Sequence, residues 1–122
     1  MKRRTALFAA FVLATSPALA DQKVDHYAAE PSGDLAQALT NFRDYNARMA
    51  AILAKDTLSR DDMEDIHHLT YTIETALARI IAEARDLAQA LERVHEASEG
   101  GSADYLRELA GPYLTVAQQL VP

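Results

Sequence analysis

Two short motifs hold the residue types from which a metal centre is usually assembled: Glu64-Asp65-Ile66-His67 and Glu92-Arg93-Val94-His95, both reading E-x-x-H. Residues three apart share one face of a helix. Each motif therefore offers a carboxylate and an imidazole to a common ion, as E-x-x-H does in di-iron bundles. The motifs stand 28 residues apart, which is four heptads, and face the same way along one helix. Their separation is about 42 Å at a rise of 1.5 Å per residue, too far for one chain to close a single centre. A di-iron centre also wants inward carboxylates from other helices, and Asp44 and Glu108 are the loose candidates. In a chain this acidic, a solvated helix face accounts for the same four residues more simply. The adjacent His67 and His68 diverge by about 100° on a helix and do not chelate together.

Other chemistry finds less to work with. There is no cysteine and no G-x-S-x-G, and the few serines fall at cap or loop positions. Gly100-Gly101 reads as a helix stop and not as a phosphate loop. Covalent haem is excluded by the missing C-x-x-C-H. The tyrosines at 45, 71, 105 and 113 read as amphipathic packing at the edge of a core. The sequence therefore points away from an enzyme, and no cofactor is assigned to it.

The elements that must position these residues begin after a leader. Lys2, Arg3 and Arg4, the apolar run from Ala6 to Ala14, and Ala18-Leu19-Ala20 form a charged start, a short hydrophobic segment and an A-x-A cleavage site. Residues 1–20 are expected to be removed as a signal peptide before Asp21, which directs the product to the periplasm. The apolar run is shorter than the roughly 20 residues that cross a bilayer, and no longer one follows, so no membrane insertion is expected after cleavage. The leader takes three of the 12 basic residues and none of the 18 acidic ones, leaving a net charge of −9. That sign disfavours binding to nucleic acid or anionic lipid.

Residues 21–33 show no helical period and read as an extended arm whose Val24 and Tyr27 are able to dock on a helix, although chain ends are commonly disordered. The rest, 34–122, reads as one all-α domain of three amphipathic helices with a long central one, an antiparallel helical bundle. Helix A is expected over about 34–55, with Asp34 and Gln37 spaced as a capping box. Its stripe is Leu35, Leu39, Phe42, Asn46, Met49 and Leu53, with Asn46 as a register-fixing or water-bonded amide.

Helix B is expected over about 60–98, started by Ser59 with Asp62 and a Leu58–Met63 hydrophobic staple. Met63, Ile66, Thr70, Ile73, Leu77, Ile80, Ala84, Leu87, Leu91 and Val94 form its stripe. Helix C is expected over about 103–120, with Leu106, Leu109, Tyr113, Val116 and Leu120 inward and a kink or restart at Gly111-Pro112.

Helices A and C together match the length of B, so A should lie antiparallel to its first half and C to its second. This leaves a flank of B with Leu69, Ala76 and Ile81 thinly covered, and a homodimer, or another protein partner, is the remedy. An antiparallel pair of B helices would set Glu64 and His67 against His95 and Glu92 of the second copy, since both pairs of residue numbers sum to 159. Each end would then hold a ligand set compatible with zinc or iron.

Asp25-His26-Tyr27, Glu30-Pro31, the stretch from Phe42 to Leu53 with Ala54-Lys55, Asp62-Met63 through His67, Leu69-Thr70-Tyr71-Thr72, Glu74 and Val94-His95 resemble a family of small proteobacterial secreted proteins known only as a domain of unknown function. The resemblance implies a periplasmic helical protein with no established activity. The Leu-Thr-x-x-Gln signature of the Spy/CpxP-like chaperones is absent, since Leu69-Thr70 is followed by Tyr71-Thr72-Ile73. A cytochrome b562-like bundle needs a histidine on its last helix, and helix C has none, although Met49 would suit the first. The sequence thus supports a secreted, non-enzymatic interaction or structural protein. A periplasmic metal-binding protein using the E-x-x-H faces is the alternative, and a b-type haem bundle comes third.

Overall fold

The computed structural model describes residues 27–122, so the expected leader and Val24 lie outside the described residues. Three helices follow an extended segment: α1 (Leu35–Leu53), α2 (Arg60–Gly100) and α3 (Ala103–Leu120). The protein is all-α, and its helices pack against one another.

Each helix starts at a residue that supplies the missing acceptor for the first free amides. Asp34 accepts from the Gln37 amide at 2.8 Å, but Gln37 Oε1 in turn accepts from the Gly33 amide at 2.9 Å, one residue before the cap. Ser59 and Asp62 form a complete capping box, with bonds of 3.1 Å to the Asp62 amide and 2.8 Å from the Ser59 amide. Ser102 caps α3 by accepting from the Tyr105 amide at 3.2 Å. The expected staple buries little, because Leu58 and Met63 are both exposed.

α2 runs 41 residues without interruption, about 61 Å, two residues beyond its expected end. It stops where the Gly101 amide bonds to the Ala97 carbonyl at 2.9 Å. α3 does not restart at Gly111-Pro112; the helix continues through both residues. Proline removes one backbone donor there, and the flanking turns hold the segment helical.

α1 packs on the first half of α2 and α3 on its second half, while α1 and α3 meet only at their facing ends. The molecule is a slab two helices wide. Its seam on α2 consists of Asp62, Ile66, Leu69, Ile73, Ala76, Ile80, Glu83, Leu87, Ala90, Val94 and Ala97, all buried or half-buried at steps of four and three. The expected stripe shares Ile66, Ile73, Ile80, Leu87 and Val94 with this seam and is displaced on the alternate positions. Leu69 and Ala76, expected to be thinly covered, are 4% and 0% exposed; of that trio only Ile81 is open.

The physical reason lies in side-chain size. Alanine at 76, 90 and 97 lets the neighbouring backbones approach closely, whereas the row through Met63, Leu77 and Leu91 would hold them away. α1 shows the same shift at its end, where Ile52 turns inward and Leu53 is exposed. Asn46, half-buried, donates to the Phe42 carbonyl of its own helix at 2.7 Å. A slab has little interior, and no large side chain is completely sealed among the described residues.

Candidate functional site

The extended segment before α1 crosses one face of the slab. Glu30 donates its amide to Thr72 Oγ1 at 3.0 Å, and Asn41 Nδ2 donates to the Pro31 carbonyl at 3.0 Å. Tyr27 lays its ring on His68, with centroids 3.4 Å apart, and its hydroxyl donates to Glu64 Oε1 at 2.9 Å. The arm is thus docked at Tyr27. Beneath it lies a recess of about 290 Å³ between Tyr45, Arg48, Leu69 and Thr72.

This docking redistributes the first E-x-x-H motif. Glu64 lies 3.8 Å from His68 Nε2, one step further along the helix than its expected partner. His67 Nε2 instead meets the Tyr71 hydroxyl at 3.2 Å. His68 Nε2 is shielded from solvent and has no hydrogen-bond partner among the described residues. In the second motif His95 pairs with Glu99 at 3.2 Å, and Glu92 is exposed. Glu64, His67, Glu92 and His95 all lie at the surface of α2. Among the described residues no three histidines, aspartates or glutamates converge on a point where an ion would sit.

The junction between α1 and α2 holds a carboxylate with a displaced titration. Asp62 accepts from the Lys55 ammonium, from the Ser59 amide and from the Ser59 hydroxyl at 2.8 Å. The Lys55 hydrogen bond foremost, then the two from Ser59, lower its pKa from 3.8 to about 2. The role is structural: the pair ties the end of α1 to the start of α2. Between α2 and α3 runs a groove of about 300 Å³, floored by Leu87, Leu109, Tyr113 and Val116, with Glu83, Asp86, Arg93 and Glu108 at its rim.

These contacts assign the two faces of the slab. The arm touches Asn41 and Thr72, and the groove gathers Asp86, Arg93 and Pro112, so the rows through these residues form one face. That face carries Arg48, Asp65, Arg79, Asp86 and Arg93. The opposite face is built from the rows on the other side of each seam. α1 supplies Leu39, Asn46 and Leu53; α2 supplies Met63, Thr70, Leu77, Ala84, Leu91 and Ser98; α3 supplies Ala103, Ala110 and Ala117. None of these residues is charged, in a chain of which 25% is Asp, Glu, Lys or Arg. Leu53, Met63, Leu77 and Leu91 are 55%, 63%, 40% and 47% exposed, with Ile81 beside them. Arg43, Glu74 and Arg107 border these rows one helical step further out. Exposed apolar side chains strung along the whole length of a helix are what monomeric proteins avoid.

The face escaped the sequence reading because two apolar stripes overlap on α2 at five shared positions. The signal that would have separated them is the alanine content of the buried row, which marks close helix approach.

The fold defines a small all-α protein whose described residues form three helices packed against one another. Within that class the chain belongs to DUF6746, a family of unknown function whose model matches residues 1–122. No curated protein and no solved structure matches the chain. Among the described residues no helix is long and apolar enough to cross a membrane.

Proposed function

We propose that the protein is an exported, non-enzymatic interaction protein that acts by presenting the uncharged face of its helical slab to another polypeptide. The carrying observation is that these rows carry no charge on any of the three helices, with only Arg43, Glu74 and Arg107 at their border, while the opposite face carries many charges and the docked arm. Nothing in the geometry of a single chain requires such a face to stay uncharged, since lysine or glutamate at these half-exposed rows would add solubility at little cost. Export to the periplasm is supported by the pattern of residues 1–20, and the non-enzymatic reading by the absence of any nucleophile motif in the sequence.

The test is a photo-crosslinking amino acid placed at position 77, on the uncharged face, in cells that make the protein. A discrete protein adduct is expected there and none with the same group at position 86 on the charged face. Absence of an adduct at position 77 overturns the reading. Mass spectrometry of the recovered chain checks export, with Asp21 expected as the new N-terminus.

A further inference from the structure

Resting on that reading of the face, we infer that its occupant is a second copy of this chain, lying antiparallel so that α2 covers α2 of the other copy and α1 covers its α3.

Size is the first argument. Two helices side by side present about 20 Å of width, and α2 gives about 61 Å of length, so the face offers a footprint of about 1,200 Å². A stable interface needs about 800 Å² from each partner. Stacking two slabs also converts a two-helix cross-section into a four-helix one, which provides the sealed interior that one chain lacks.

Self-complementarity is the second argument. When α2 is turned end for end about its middle, each large side chain of the open row meets a small one. Leu77 falls opposite the partner's Ala84, Leu91 opposite the partner's Thr70, and Met63 opposite the partner's Ser98, all pairs whose numbers sum to 161. On the same operation the Leu39, Asn46 and Leu53 row of α1 comes over the alanine row of α3. A parallel pairing would set leucine on leucine and alanine on alanine, leaving gaps at the small positions and overfilling the large ones.

The row bordering the face repeats the preference. In the antiparallel pairing Ile81 meets the partner's Ile81 at the two-fold axis, Glu74 meets the partner's Ala88, and His67 meets the partner's His95. In the parallel one Glu74 would face its own copy, a like-charge contact.

The chain's own N-terminal segment is a poor competitor for the face. Tyr27 is anchored on Glu64 and His68 toward one end of a face about 61 Å long, and only six residues, DQKVDH, separate Tyr27 from the expected cleavage site. They span at most about 21 Å and contain one apolar residue, Val24.

Cysteine crosslinking tests the arrangement cleanly because the natural chain has no cysteine. Purified Ile81→Cys, treated with a short bis-maleimide, should become a covalent dimer. His67→Cys alone and His95→Cys alone should not, whereas a mixture of the two should. Leu77→Glu should reduce the mass seen by light scattering from two chains to one, with helix content by circular dichroism retained. A parent protein of one-chain mass at tens of micromolar overturns the inference, and so does self-crosslinking of His67→Cys with none in the mixture. An adduct at position 77 in cells whose mass is that of a different protein, with a monomeric purified chain, overturns the second copy while leaving the interaction face in place.

Discussion

Leu69 decides whether α1 truly covers this flank of α2. It is 4% exposed, one of the few large apolar side chains buried in the molecule. Leu69→Ala removes three carbons from the contact between the two helices. Leucine-to-alanine changes in cores cost about 2–5 kcal/mol, less where neighbours are able to collapse into the space. A slab without completely sealed side chains collapses readily, so the expected cost is about 2–3 kcal/mol. For a domain of this size that lowers Tm by about 10–20 °C. Urea unfolding followed by far-ultraviolet circular dichroism measures the cost, with Leu58→Ala as the control. Leu58 is exposed in the turn before α2, and its truncation should cost less than about 1 kcal/mol. If Leu69→Ala costs no more than Leu58→Ala, the seam is wrong and the stripe through Met63 and Leu77 faces the core instead.

Four further outcomes follow from local geometry. Asp62 titrates at about 2 when folded against 3.8 unfolded, so its contribution is fully present above about pH 4 and is lost as pH falls through 3.8 toward 2; thermal melts of Asp62→Asn should therefore vary less with pH across that window than those of the parent. A Cβ at Gly111 meets open space, so Gly111→Ala should raise stability by about 0.5–1 kcal/mol in denaturant titrations. A Cβ at Gly101 would stand 2.7 Å from the Ala97 carbonyl oxygen, so Gly101→Ala should lower stability in the same titrations. Tyr27→Ala should free the arm, and amide exchange at Glu30, bonded to Thr72 Oγ1, should accelerate with little change at α3.

The helices themselves were legible because their signals are local. Ser59 with Asp62 and the glycines at 100 and 101 mark starts and stops through bonds made within four residues. The end-to-end placement of α1 and α3 on α2 followed from lengths and short turns alone. The choice of flank was not legible from hydrophobicity, since Thr70 and Leu77 satisfy the same spacing as Leu69 and Ala76; packing distance decided it. The surroundings of Glu64 were hidden for a different reason. Tyr27 reaches it from 37 residues away, and no helical period encodes that contact. Of the kink or restart expected at Gly111-Pro112, the restart fails because a proline's missing donor disfavours a helix without forbidding it when the neighbouring turns are packed.

The most direct measurement of the account is small-angle X-ray scattering on the purified protein, which reads mass and longest dimension together. Two slabs stacked face to face should have the mass of two chains while keeping a length close to that of one α2 helix, about 60–65 Å. A particle with the mass of one chain, whatever its length, would contradict the claim that the uncharged face is covered by a second copy.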